Sequence, residues 1–284
     1  MDANLSRRAW NLLAKLALWL SAAATCALLL VVIGYIFLRG APGLSWELLT
    51  TQESILRGTM GILPSILNTL YVVLVSLALV LPLGVGAAVY LTEYAKNRRL
   101  AWAVEFAADT LSGIPSILYA LVGVILFCNA LGLQKTLLAG SLTLVIMTLP
   151  TVIRTTQESL RTVPRSYREG ALGLGAGKWR AIRTVVLPSS VDGIVTGCIL
   201  AVGRVVGESA VLMYTAGLST AMQDFSTIQG ILRASGSTLT VALYVYAKER
   251  ADFAIAFTIA TLLLLLTGLI HLAAYLAGRL LRRR

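Results

Sequence analysis

With 284 residues, 57% of them hydrophobic, a net charge of +11 and a mean hydropathy of +0.82, the chain is too apolar for a soluble domain and reads as an integral membrane protein. The charge does not point to nucleic acid, because the basic residues fall between apolar runs instead of on one polar domain. Cys26, Cys128 and Cys198 lie inside apolar runs without metal-ligand spacing, and His271 stands alone in the last run, so no disulfide framework, metal site or cofactor is expected.

Arg7 and Arg8 precede an apolar run from about Leu13 to Leu38. A signal peptide has a shorter apolar region, whereas this run is long enough to span, so it reads as a retained helix. Residues 1–40 are therefore expected to form an N-terminal segment and first transmembrane helix, and residues 60–280 a core of five more. A polar loop over 39–62 carries Pro42, Glu47 and Glu53. The second span starts near Leu63-Pro64-Ser65 and ends near Leu91, with a kink expected where Pro82, Gly84 and Gly86 interrupt it. Lys96, Arg98 and Arg99 mark the next loop. Residues 100–112, with Glu105 and Asp109, are amphipathic and suited to the membrane interface. Gly113-Ile114-Pro115-Ser116 restarts a helix to about Leu131. After a loop through Lys135, the fourth span covers roughly Leu137–Ile153, the fifth Val191–Thr215 and the sixth Phe253–Leu276, with residues 217–252 a mixed loop. The expected fold is an all-α polytopic membrane protein of six transmembrane helices.

Charge fixes the expected orientation. The N-terminus, residues 96–99, residues 154–183 and the C-terminal tail carry 17 Lys and Arg, against six in the three opposite loops. The positive-inside rule then puts both termini in the cytoplasm.

The loop 161–188 carries a pattern as well as charge. Ala171, Leu172 and Leu174 form one face of a short helix that Gly175-Ala176-Gly177 ends, and a small amphipathic knob of this kind suits a groove on a soluble partner. Gly177-Lys178 is not a phosphate-binding loop: Leu172 stands where that motif needs Gly, and Trp179 where it needs Ser or Thr. No Ser/His/Asp or metal constellation converges elsewhere, so neither a nucleotide site nor an enzyme active site is expected. The spacing of Glu169, Ala171, Gly175, Leu187 and Pro188 resembles the EAA loop of ABC-importer permeases, with Gly170 replacing Ala and Val185 replacing Ile. Gly170 should loosen the first turn. The resemblance implies that this short helix inserts into a cleft of an ATPase subunit, with Glu169, Gly170, Ala171, Gly175, Leu187 and Pro188 as coupling residues.

Arg204 is the one basic residue left over inside a span, the fifth, with Glu208 one turn later. A spacing of four on one helix puts both on one face, where they can pair. The pair reads either as a salt bridge fixing helix packing or as a switchable anion site, since a guanidinium offers paired donors to a tetrahedral oxyanion. Gly193, Gly197, Gly203 and Gly207 form two small-xxx-small pairs on the same span, which allow another helix, in this chain or a second permease subunit, to approach closely.

Tyr90-Leu91-Thr92-Glu93-Tyr94, Pro115-Ser116-Ile117, Val152-Ile153-Arg154-Thr155-Thr156 and Gly203-Arg204-Val205-Val206-Gly207-Glu208-Ser209 resemble the PstA-type permeases of phosphate-specific ABC importers. The likeness spans roughly residues 60–275 and is most specific over 150–217; the N-terminal helix matches only in character. It implies a type I ABC importer permease fold in a bacterial cytoplasmic membrane, surrounded by lipid. It also implies, as partners, a PstC-type second permease, a PstB-type ATPase dimer, a periplasmic PstS-type phosphate-binding protein and a PhoU-type regulator. Arg204 and Glu208 match the family's buried Arg and Glu, and Ser209 stands where the family often has Thr, so these three are the expected substrate-pathway residues. The same features fit a permease for another oxyanion, such as phosphonate or molybdate. A secondary transporter would use an inverted repeat or proton-coupling carboxylates. The only echo of a repeat is Leu63-Pro64-Ser65-Ile66-Leu67 in Ile114-Pro115-Ser116-Ile117-Leu118.

Overall fold

Within hydrocarbon every backbone polar group has to be paired inside the protein, and this chain meets that demand with helices. The computed structural model describes residues 2–54 and 59–282. In chain order the helices used below are α1 (Asp2–Gly40), α2 (Leu63–Val89), α3 (Arg98–Ser112), α4 (Ser116–Gly123), α5 (Leu137–Thr162), α6 (Arg165–Gly173), α7 (Val191–Gly207), α8 (Ala210–Thr215), α9 (Leu239–Tyr244) and α10 (Phe253–Arg282). A two-stranded antiparallel hairpin, β1 (Gln52–Ser54) and β2 (Thr59–Ile62), leads into α2.

Among the described residues, four stretches are long and apolar enough to cross a membrane: Trp10–Gly43, Leu63–Tyr94, Leu137–Thr162 and Phe253–Leu280. Two more spans, making up to six, are bent pairs: Arg98–Ser112 with Ser116–Ala130 at 104°, and Lys178–Ser189 with Val191–Gly207 at 67°. The first bend falls at Gly113-Ile114-Pro115, where the sequence predicts a restart, because the residue before a proline disfavours helical dihedrals. The kink expected at Pro82 is not a break, since α2 runs unbroken to Val89. The expected fifth span over Val191–Thr215 is broken: α7 stops at Gly207, Glu208 is extended, and α8 begins at Ala210.

The centre of the bundle is α5. Its neighbours reach it through glycine. A β-carbon on Gly84 of α2 would lie 2.7 Å from Val152, one on Gly123 of α4 2.3 Å from the Thr143 hydroxyl, and ones on Gly193 and Gly197 of α7 2.3 Å from Ser159 and Thr155. Missing side chains let the helix axes close up, the way apolar helices gain packing where no hydrophobic effect separates lipid from protein. Gly193 and Gly197 thus pack within this chain, whereas Gly207 has nothing within 4 Å and Gly203 only the His271 ring at 3.8 Å. Hydroxyls buried in α5 bond back to their own helix: Ser141 donates to Leu137 O at 2.8 Å and Thr148 to Leu144 O at 2.7 Å.

The segment 217–252, expected as a mixed loop, folds back into the core. Leu239, Val241 and Ala242 of α9 are buried in the main apolar cluster with Leu144, Val205 and Leu212. Buried polar residues of α2 hold the approach: Asn68 Nδ2 donates to Ser237 O at 3.0 Å, and Thr69 Oγ1 accepts from the Leu239 amide at 2.9 Å. In contrast, α1 lies outside this core, its apolar window fully uncovered. Only its end is seated on α10, through Thr261 Oγ1 donating to Ile36 O at 3.1 Å and an edge-to-face Tyr35–Phe257 contact at 5.5 Å.

The glycine contacts predict a position-specific effect. Gly84→Val should lower stability by about 1–3 kcal/mol through overpacking against Val152, read as a lower midpoint of thermal unfolding in detergent. Gly86→Val, on the same helix with nothing within 4 Å, should leave the midpoint nearly unchanged. Equal effects at both positions would rule out the close α2–α5 contact.

Candidate functional site

Two groups of predicted residues lie on separate parts of the chain. The first is the loop between α5 and α7. Its helix α6 starts after Pro164 and covers Arg165–Gly173, so it includes Glu169, Gly170 and Ala171. Glu169 and Gly170 are exposed and Ala171 is half-buried. The helix ends in a Schellman turn: the Ala176 amide donates to Ala171 O at 3.1 Å and the Gly175 amide to Leu172 O at 2.9 Å. Gly175 has φ +83°, the left-handed conformation that this turn requires and that a side chain disfavours. That is the physical reason for a glycine at this point of the motif.

The turn leaves an apolar surface in water. Tyr167 is 52% exposed, Leu172 50%, Trp179 58% and Leu174 91%. Leu187 packs against Leu160, Val163, Ile182 and Val186, while Pro188 opens the short helix Leu187–Ser189 at the 67° bend into α7. The last two motif positions therefore form an elbow that fixes where the loop re-enters the bundle.

Sequence reasoning missed the contact that holds the loop down. Arg168 donates from Nε and Nη2 to Glu93 Oε1 at 2.9 and 2.7 Å, from Nη1 to Val163 O at 2.7 Å, and from Nη2 to Leu160 O at 2.8 Å. Glu93 lies in the π-helical turn Tyr90–Tyr94 that ends α2. Its neighbour Tyr94 lies under Lys178, whose Nζ is 4.8 Å from the ring centroid. Both residues stand in stretches singled out above, but 75 residues separate the pair, and no local spacing announces such a contact.

The second group is Arg204, Glu208 and Ser209. Arg204 lies 13 residues beyond Val191, so it sits ~20 Å along α7 from the elbow. The expected Arg204–Glu208 pair is absent among the described residues. Because α7 stops after Gly207, the two side chains no longer share a helix face. Glu208 Oε1 instead accepts from the Val211 amide at 3.2 Å, which satisfies one free N–H at the start of α8. Thr240 Oγ1 donates to Glu208 O at 3.4 Å, tying the break to the re-entrant segment. Ser209 caps α8 by position only, with no side-chain cap bond. Arg204 Nη1 donates to Thr151 Oγ1 at 3.4 Å, beside Pro150 in α5. The guanidinium is left with unused donors, half-buried and facing no carboxylate partner among the described residues. Thr151 was not foreseen, because nothing in its local sequence separates it from the hydroxyls that bond only within α5.

A third polar cluster fastens α3 to α5. Gln157 Nε2 donates to Glu105 Oε1 at 2.9 Å, Arg161 Nη2 to the same oxygen at 2.5 Å, and Arg154 pairs with Asp109 and Glu158. The amphipathic helix expected at the interface is therefore anchored to the bundle by its acidic face.

The profile of the family described as "Binding-protein-dependent transport system inner membrane component" matches residues 80–284. The probable ABC transporter permease protein YqgI of Bacillus subtilis (strain 168) is 35% identical over 222 residues, covering 78% of this chain and 76% of that protein. The phosphate transport system permease protein PstA 1 of Mycobacterium tuberculosis (strain ATCC 25618 / H37Rv) is 34% identical over 216 residues, covering 75% of this chain and 68% of that protein. Among solved structures, a bacterial ABC transporter involved in the import of the acidic polysaccharide alginate aligns with TM-score 0.64 at 16% identity, over 96% of this chain and 98% of that one. The inward-facing MetNI methionine ABC transporter aligns with TM-score 0.61 at 22% identity, over 78% and 94%. These two share the type I importer permease fold.

The Schellman turn yields a direct test. Gly175→Ala forces a side chain into the left-handed region at roughly 1–2 kcal/mol, so exchange of the Ala176 amide should accelerate by about fivefold or more. Gly173→Ala, with open space around it and φ outside that region, should leave the exchange rate unchanged. Unchanged protection in Gly175→Ala would refute the turn.

Proposed function

This chain belongs to the binding-protein-dependent transport system inner membrane component family, and on that premise we propose that it is the permease subunit of an ATP-driven importer of inorganic phosphate, forming half of the translocation pathway. Membership brings a separate ATPase and a substrate-binding protein as partners, in a bacterial inner membrane. The finer assignment is a PstC-type second permease, a PstB-type ATPase dimer and a PstS-type binding protein, with a PhoU-type regulator acting on the assembly. Both termini and α6 face the cytoplasm, residues 1–40 form an accessory first helix, and residues 60–280 form the permease core.

One observation carries the substrate class. Arg204 holds a guanidinium inside the bundle with donors to spare, and the phosphate permease of M. tuberculosis is about one third identical to this chain. A multiply charged oxyanion does not cross hydrocarbon unaccompanied, and a cation at depth lowers that cost. Paired N–H donors match a tetrahedral oxyanion better than an ammonium does. Glu208 keeps its carboxylate on the Val211 amide, close enough in sequence to keep the vacant pathway near neutral without occupying the guanidinium. Ser209, in the break between α7 and α8, adds a hydroxyl to the same stretch. Binding of this strength favours passage over trapping, as a transport pathway requires. At the other end, the apolar knob of Tyr167, Leu172 and Leu174 docks in the ATPase, with Glu169, Gly170 and Ala171 on the same helix, Gly175 closing it, and Leu187 and Pro188 at the elbow.

The test is uptake by the reconstituted assembly, with labelled phosphate competed by phosphonate, molybdate and sulfate. Phosphate should be carried and the others should compete weakly; preferential carriage of another oxyanion would overturn the substrate assignment. Arg204→Lys retains the charge and loses the fork, so uptake should fall roughly tenfold or more while the assembly still co-purifies with its ATPase. Near wild-type uptake by Arg204→Lys and by Arg204→Gln would remove Arg204 from the pathway.

A further inference from the structure

We infer that Arg168 and Glu93 form a rigid joint that transmits movement of α6 to the bundle, making them positioning residues for the ATPase-coupling step; the inference rests on the coupling role proposed above. Four hydrogen bonds from one guanidinium reach three separate pieces of chain. Two go to Glu93 at the end of α2, one to Leu160 O in the last turn of α5, and one to Val163 O in the linker. The side chains of Arg168 and Glu93 are 21% and 10% exposed, so the pair is largely shielded from water, unlike the half-exposed Arg154–Asp109 pair. Shielding strengthens the bond and makes its loss costly, since either partner alone would leave a buried charge.

The two helices held by this joint pack directly against each other. Gly84 of α2 and Val152 of α5 touch, and the cluster of Ala88, Val89, Ile153, Leu160 and Val163 continues that contact to the joint. A displacement of α6 at its N-terminal side therefore carries α2 and α5 with it. The C-terminal side is built differently. Gly173, Gly175 and Gly177 have open space where a side chain would be, the Schellman turn closes α6, and Lys178 lies over the Tyr94 ring. Hydrogen bonds through Arg168 tie one side of the knob to α2 and α5, and a single Lys178–Tyr94 contact ties the other to the end of α2, so the stronger link runs through Arg168 into the two central helices. Coupling by such a device needs a direct physical link between the moving element and the packed helices, and the Arg168 contacts supply it.

The test compares Glu93→Gln and Arg168→Lys with wild type in the complete reconstituted assembly. Glu93→Gln preserves the shape of the side chain and removes its charge; Arg168→Lys preserves charge and loses the reach to Leu160 and Val163. Each should still co-purify with the ATPase and hydrolyse ATP, while transport per ATP hydrolysed falls roughly fivefold or more. A merely structural pair would lower uptake and hydrolysis together with their ratio unchanged, and that result overturns the inference. A second readout needs no substrate. Nitroxides at Ser166→Cys and Lys96→Cys report the distance between α6 and the end of α2. Wild type should give one narrow distribution, with and without nucleotide, and Glu93→Gln a broadened one. Identical distributions in wild type and Glu93→Gln overturn the joint. Absence of phosphate uptake by the wild-type assembly counts against the phosphate assignment alone, and the joint is then decided by the distance measurement.

Discussion

Close approach of other helices to α5 is the contact on which the remainder of the structure depends. In lipid there is no hydrophobic gain in joining two apolar helices, so association has to come from dispersion contacts and buried hydrogen bonds. Glycines on α2, α4 and α7 let backbones meet α5 at distances that a single methyl group would forbid. Everything with a proposed role hangs from that hub. Thr151, whose hydroxyl accepts from the Arg204 guanidinium, is on α5. Leu160, which accepts from Arg168, ends it. Arg154, Gln157 and Arg161, which hold α3, line the same end.

The second constraint is that a backbone broken inside a membrane has to find new partners. The break after Gly207 does so with what is nearby: the Glu208 carboxylate takes the Val211 amide, and the Glu208 carbonyl takes the Thr240 hydroxyl. One consequence is chemical. A carboxylate committed to the backbone is not available to its neighbouring cation, so Arg204 keeps donors that a continuous helix would have consumed. The other is architectural. The re-entrant segment is held because Ser65, Asn68 and Thr69 supply polar partners in the first two turns of an apolar helix.

Much of this was legible in the sequence because a membrane simplifies the code. Apolar runs of about 20 residues announce spans. The EAA-like spacing named the residues of the loop, and the structure adds the reason for one of them, the left-handed φ of Gly175. What was not legible depends on contacts distant in the chain or on local breaks hidden within apolar text. The stretch Val191–Thr215 looks like one helix because Gly207 and Glu208 carry no proline or charge run to mark an end. The sequence around Leu239 to Tyr246 is too short to span and so passed for a loop. Pro82 falls within a helix that stays continuous, and Gly84 nearby lets α2 meet Val152 of α5. Arg168 belonged to a basic cluster that orientation alone explained, until its partner Glu93 appeared 75 residues away.

The account stands on a single vectorial claim: the end of the bundle bearing α6 faces ATP, and Arg204 lies between it and the outside. Sidedness is measured most directly by an impermeant maleimide on vesicles of known orientation carrying the assembled transporter. Lys96→Cys sits beside the Glu93–Arg168 contact and Gln134→Cys at the opposite end of α5, and both positions are exposed. With the native cysteines replaced, Lys96→Cys should react in inside-out vesicles and Gln134→Cys in right-side-out vesicles. Modification of Lys96→Cys from the outside would contradict the orientation, and the proposed docking of α6 on an ATPase with it.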